Sequence, residues 1–163
     1  MVKFTEITWD NFWKVINLKL DESQVNFLPP NSVFMAQAYI NLKFNYPDIC
    51  YALSDDQNIV GFCKIVFVPK NISPFNFNED AYLIDALMID QKYQGKGYGK
   101  KAFDLIINFI KTNPWGKSSH IKLLCHEKNK VARQLYEKRG FDNTGEIMDG
   151  KILYSKVIQS SFL

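Results

Sequence analysis

The most constraining stretch of the sequence runs from residue 82 to residue 110. Residues 82–90 form a nearly continuous apolar run broken only by Asp85, the pattern of a central strand covered on both faces. A lone carboxylate in such a strand needs a role of its own. Gln94-Gly95-Lys96-Gly97-Tyr98-Gly99 follows, and then a helix that carries Ala102, Phe103, Ile106, Ile107 and Ile110 at helical spacing and ends near Pro114. Glycines between a strand and a helix let backbone N–H groups approach an anion closely, and the positive end of the helix dipole favours phosphate. Two common phosphate loops fit poorly. A P-loop ends in Gly-Lys-Ser/Thr, whereas Gly99 is followed by Lys100-Lys101; the dinucleotide fingerprint needs its third glycine where Lys100 stands.

Around this unit the periodicity predicts a strand at 2–7 and a helix at 9–20 with Trp9, Phe12, Trp13, Ile16 and Leu20 on one face. A break at 21–30 precedes a second helix at 32–45. Apolar runs at 49–53 and 59–68, joined by Ser54-Asp55-Asp56-Gln57-Asn58, read as a hairpin. With the turn centred between Asp56 and Gln57, Cys50 is expected to face Cys63. Residues 69–78 form an irregular surface loop. A buried strand at 121–125 leads to Asn129, an N-cap for a helix at 130–139 that Gly140 closes. Strands at 141–148 and 151–158 pair around Asp149-Gly150. The order β-α-α-β-β-β-α-β-α-β-β implies an α/β (α+β) fold in one domain, residues 1–163, with a mixed sheet and helices on both faces.

Composition removes several function classes. With 47% hydrophobic and 23% charged residues the chain is neither disordered nor fibrous. No stretch approaches the roughly 18 apolar residues of a membrane helix, and residues 1–10 lack the order of a signal peptide. A cytoplasmic protein is expected. Three cysteines without a Cys-x-x-Cys pair, and His120 and His126 without matching ligands, argue against a metal site. A net charge of +3 is too small to imply nucleic acid.

Gln94, Gly97 and Gly99 match the pattern Gln/Arg-x-x-Gly-x-Gly/Ala, and here the sequence resembles the GCN5-related N-acetyltransferase superfamily. The resemblance extends back through Leu87-Met88-Ile89, the strand that pairs with the pantetheine arm in that family, and forward through residues 129–141, its second signature block. It implies a mostly antiparallel sheet and acetyl-CoA as co-substrate. It also implies cofactor contacts from Leu87, Met88, Ile89, Gln94, Gly95, Lys96, Gly97, Tyr98, Gly99, Lys100, Asn129 and Arg133, with no metal. Lys92, Lys96, Lys100, Lys101, Lys128, Lys130 and Arg133 flank the two helix starts and suit its phosphates. Gln24, Phe27, residues 31–34 and residues 36–39 are similar to bacterial spermine/spermidine acetyltransferases, a region that covers the acceptor side in the superfamily.

The chemistry sets further requirements. An alkylamine with a pKa near 10.4 is almost wholly protonated at neutral pH and cannot attack a thioester, so a proton acceptor is needed. Attack places negative charge on an oxygen, for which a backbone N–H of residues 87–89 is the natural donor. The departing thiolate needs a proton, and by the resemblance Tyr136 is the acid. Asp85 is the leading base, with Glu127 and then His126 as alternatives. Glu22, Glu79 and Asp80 are expected along the acceptor groove. The expected partner is a small-molecule amine, favourably a polyamine, with neither nucleic acid nor membrane involved and with room for a homodimer. Aminoglycoside or peptide amines, and a non-catalytic coenzyme A-binding role, stay open.

Overall fold

The computed structural model describes residues 1–158. Seven strands form one sheet in the order β1-β2-β3-β4-β5-β7-β6. They are β1 (Lys3–Thr5), β2 (Asp48–Ser54), β3 (Ile59–Val68), β4 (Ala81–Ile89), β5 (His120–Cys125), β6 (Asp142–Met148) and β7 (Lys151–Val157). Only β4 and β5 run parallel, so the mixed, mostly antiparallel sheet is as expected. The helices are α1 (Phe12–Ile16), α2 (Asn31–Lys43), α3 (Tyr98–Ile110) and α4 (Lys130–Glu137). No helix among the described residues is long and apolar enough to cross a membrane.

Two faces of the sheet are covered differently. On one, Ala102, Phe103, Ile106 and Ile110 of α3 pack with Cys63, Tyr82, Ile84, Ile121 and Leu123, and α4 adds Ala132, Leu135 and Tyr136 at the edge of that core. On the other, Phe34 of α2 and Val15 of α1 pack against Ala52, Phe62, Ala86 and Met88. A third cluster on that same side gathers Leu83, Phe77 from the loop before β4, and Leu153. Between the second and third clusters the sheet carries Asp85.

A bulge at Asp85 sets which residues of β4 meet each face. Lys64 pairs with Ala86 and Ile65 with Ile84, leaving Asp85 as an extra residue in β4. An inserted residue reverses the alternation of a strand. Before it, Tyr82 and Ile84 face α3; after it, Leu87 and Ile89 do, while Ala86 and Met88 face α1 and α2.

Two expectations need correction. The first helix is five residues rather than twelve: Asn17 closes it by donating from Nδ2 to the Trp13 carbonyl at 2.8 Å. Its inward residue is Val15, while Trp9 and Trp13 are 83% and 66% exposed. The hairpin register also differs. Cys50 pairs with Lys64 and Tyr51 with Cys63, because a bulge between Leu53 and Ser54 adds one residue on the β3 side. Cys50 therefore lies on the α2 side and Cys63 in the α3 core, and all three cysteines are free thiols.

Candidate functional site

Pairing between β4 and β5 ends at Ile84 and Leu123, and beyond it the strands separate. A cleft of about 230 Å³ occupies this region, lined by Leu87, Met88 and Ile89 of β4, by Gln94, Gly95 and Gly99 of the turn, and by Asn129 and Tyr136 on the α4 side. Asp90 N–H donates to the Val60 carbonyl in β3 at 2.9 Å. Strand amides alternate in direction, so the N–H groups of Leu87 and Ile89 point the other way, toward the gap left by β5.

The turn at the cleft's end is built for close approach. Gly95 and Gly97 have φ of +74° and +81°, and a Cβ added to either meets nothing within 4 Å. Gly97 is the N-cap of α3, whose first backbone N–H groups are thereby left without intrahelical partners. The open space in front of them, beside the helix's positive end, fits a phosphate-bearing ligand. Gln94 fixes the turn by donating from Nε2 to the Ile89 carbonyl and to Gln24 Oε1, both at 2.9 Å.

That second contact shows what the sequence missed. The segment between α1 and α2 is not confined to the acceptor side: Leu20, Gln24, Phe27 and Leu28 line the cleft beside the glycine turn. Asp90 anchors it, accepting from Lys19 N–H at 2.9 Å, while Gln91 N–H donates to the Lys19 carbonyl at 2.8 Å. Phe27 also packs on the His126 ring, centroids 5.2 Å apart. The signal for Asp90 was its place: a buried carboxylate at a strand end must find N–H donors.

Tyr136 lies against Phe103, 5.1 Å between ring centroids, so the ring does pack in the core. Its hydroxyl, however, has no protein hydrogen bond among the described residues, and the side chain lines the cleft. Burial, with Cys125 and Tyr154 nearby, pushes its phenol well above the usual range. It carries its proton at neutral pH.

Other named residues have separate engagements. Arg133 donates from Nε to Tyr154 Oη at 3.0 Å and from Nη1 to the Glu127 carbonyl at 3.1 Å. Tyr98 Oη donates to Asp55 Oδ2 at 2.8 Å, tying the β2–β3 turn to α3. Lys96 donates to the Lys92 carbonyl at 3.0 Å, and Lys100 is exposed. Glu127 is exposed beyond β5, and His126 Nδ1 accepts from Lys128 N–H at 3.2 Å. None of these six lines the cleft. Among the expected groove carboxylates, Glu79 pairs with Lys122 at 2.7 Å, Asp80 accepts from Lys70 N–H, and Glu22 is exposed.

Asp85 does not stand alone. Its Oδ2 meets Lys64 Nζ at 2.7 Å, and Lys64, 2% exposed, also reaches Asp48 Oδ2 at 3.3 Å and Gln37 Oε1 at 3.2 Å. Asp85 is 16% exposed, and its Oδ1 has no protein partner among the described residues. Lys64 was legible in principle: one lysine in an apolar strand beside another strand with one aspartate implies a buried ion pair.

The profile of the acetyltransferase (GNAT) family matches residues 14–141. The spermine/spermidine N(1)-acetyltransferase of Bacillus subtilis (strain 168) is 27% identical over 146 residues, covering 90% of this chain and 91% of that protein. Among solved structures, the aminoglycoside acetyltransferase AAC(6')-Ib in complex with coenzyme A superposes with a TM-score of 0.72 at 14% identity, over 98% of this chain and 96% of that one. The PaiA N-acetyltransferase of Thermoplasma acidophilum in complex with coenzyme A gives 0.66 at 12%, over 97% and 99%. With the splayed β4–β5 pair, the glycine turn that caps α3 and a family match over most of its length, this chain belongs to the GNAT acetyltransferase family.

Proposed function

We propose that the protein transfers the acetyl group of acetyl-CoA directly to a primary amine of a polyamine, within a ternary complex. The carrying observation is the cleft itself: unpaired β4 amides, a glycine cradle at one end and the Tyr136 hydroxyl meet in one opening. Acetyl-CoA, when bound, supplies an activated thioester.

The turn at Gly95 to Gly99 and the N-terminus of α3 hold the phosphates, and the free N–H groups of Leu87 and Ile89 hold the pantetheine arm and stabilise negative charge on the carbonyl oxygen. Tyr136 Oη gives its proton to the departing sulfur. Asp85, at the open seam of the opposite sheet face, draws the ammonium of the acceptor, and its Oδ1 receives the amine proton directly or through water. Lys64 keeps Oδ2 in place while this happens. A polyamine is favoured because the similarity to the spermine/spermidine enzyme spans nearly the whole chain.

The test is release of free thiol from acetyl-CoA against spermidine, spermine, aminoglycosides, amino acids and peptides. Turnover with spermidine and spermine above the other amines is expected. Acetylation of an aminoglycoside or peptide with none of the polyamines would remove the polyamine assignment and leave the acetyltransferase intact. No turnover with any amine, despite acetyl-CoA binding, would favour a coenzyme A-binding role without catalysis.

A further inference from the structure

α4 carries the hydroxyl that the proposed transfer depends on, yet apolar packing gives it little hold. None of its eight residues is buried, and only Ala132, Leu135 and Tyr136 reach the edge of the core. A helix so seated can turn or slide unless a polar contact stops it. Among the described residues, every side-chain hydrogen bond from α4 to the sheet goes to one group, the hydroxyl of Tyr154 in β7. Arg133 Nε donates to it at 3.0 Å, and it donates to Glu137 Oε1 at 2.9 Å.

Residues 133 and 137 stand one turn apart on the same helix face, so a single hydroxyl bridging them opposes rotation about the axis as well as translation along it. Both bonds have a charged partner, a guanidinium on one side and a carboxylate on the other, which strengthens them. Tyr154 itself is fixed: it is fully buried in the sheet, opposite Leu123 of β5 and Asn143 of β6. Leu123 is in turn the last residue of β5 that pairs with β4, opposite Ile84. The row Ile84, Leu123, Tyr154 therefore marks where the cleft opens and also holds the helix that lines it.

We propose that Tyr154 is a positioning residue for acetyl transfer, whose hydroxyl sets the rotation and height of α4 and thereby the place of Tyr136 Oη. The inference rests on the reading of Tyr136 as the acid. It adds no step: the proton that reaches the departing sulfur still comes from Tyr136 Oη, and Tyr154 keeps its own. Packing against Phe103 and Phe141 confines the Tyr136 ring, but no hydrogen bond among the described residues directs its Oη, so that direction comes from the helix. Oη lies at the far end of its side chain, where a small turn of α4 displaces it more than the backbone. A misplacement of about 1 Å can cost about 10²-fold in rate.

The experiment uses the full chain and a double-mutant cycle. Single-turnover rates are measured with acetyl-CoA and spermidine, or whichever amine of the thiol-release panel turns over fastest, in the wild type, Tyr154→Phe, Tyr136→Phe and the double variant. Tyr154→Phe keeps the ring, so its rate is expected to fall at least tenfold while its affinity for acetyl-CoA, by calorimetry, stays within twofold. In the Tyr136→Phe background the same change should have no further effect, because there is no acid left to place. Glu137→Ala, at an exposed position, should slow the enzyme in the same way, and Glu137→Gln, which keeps an acceptor oxygen, should restore most of the rate. Hydrogen exchange followed by mass spectrometry should be at least tenfold faster over residues 133–138 in Tyr154→Phe and unchanged over α3. Should Tyr154→Phe fail to fold, the cycle is run with Glu137→Ala in its place. A wild-type rate in Tyr154→Phe or Glu137→Ala, losses that multiply in the double variant, or unchanged exchange over α4 would each overturn the inference, the last without any turnover being measured. The two readings fail separately: an unslowed Tyr136→Phe removes the acid and this inference with it, whereas a slowed Tyr136→Phe beside an unslowed Tyr154→Phe removes this inference alone.

Discussion

Two residues define opposite demands on single side chains. Tyr136 combines a packed ring with a hydroxyl that no protein group among the described residues engages. Tyr136→Phe keeps the packing, so stability and acetyl-CoA affinity should stay unchanged while the single-turnover rate falls about 10²-fold, the scale of general acid catalysis. An unchanged single-turnover rate would leave the ring as core packing alone. Lys64 is the reverse case, a charge whose value lies in what it neutralises. Lys64→Met leaves Asp48 and Asp85 facing each other without a cation, and removing one partner of a buried pair costs about 3–5 kcal/mol. Urea unfolding should show a loss of that order, and a loss under about 1 kcal/mol, the worth of a surface pair, would contradict the buried cluster.

At the scale of elements, the β4–turn–α3 unit depends on backbone that only glycine adopts without strain. Gly97→Val places a side chain in the open space at the helix N-terminus, and holding it at φ +81° costs about 1–2 kcal/mol of stability. Affinity for acetyl-CoA should fall at least tenfold, about 1.4 kcal/mol, by calorimetry. Gly145→Val is the control: φ is +78° with equally open space, but it lies on β6, so it should cost similar stability and no affinity. The neighbouring turn has its own pH signature. Asp55 accepts from the N–H groups of Gln57 and Asn58 and from Tyr98 Oη, which lowers its carboxyl from 3.8 to about 2. A depressed folded-state value means a contribution that is complete above 3.8 and is lost as pH falls toward 2. The melting-temperature gap between wild type and Asp55→Ala should therefore be widest above about pH 5 and should close on acidification; a gap constant to pH 2 would contradict the ionised-acceptor account.

Across the described residues, one apolar core links Val2 to Tyr154 in β7, and a single sheet connects every strand. Unfolding should thus be one cooperative transition, with far-ultraviolet circular dichroism and tryptophan fluorescence sharing a midpoint. Separate midpoints would indicate two units where we read one. The same continuity positions the site: β4 is held by β3 along its length and by β5 only to Ile84, so the opening is a property of the sheet rather than of a loop.

Much of this was legible in local chemistry. Apolar spacing marked α3, the Asn129 cap and the Gly140 stop marked α4, whose first-turn N–H at Ala132 does bond Asn129 at 3.2 Å, and Asp149-Gly150 adopts the two positive φ values its hairpin requires. Motif spacing brought Gln94, Gly99, Asn129 and Tyr136 into one cleft. These features depend on residues a few positions apart, or on a turn whose geometry few side chains tolerate. Register and reach were different. An added residue in β3 moved Cys50 opposite Lys64, an added residue in β4 turned Asp85 toward Lys64, and Asp90 drew residues 19–28 across the glycine-turn end of the cleft. Bulges and long-range hydrogen bonds are set by how whole strands and segments pack against one another, so the tertiary structure alone decided which carboxylate stayed free, which was paired, and which face each one met.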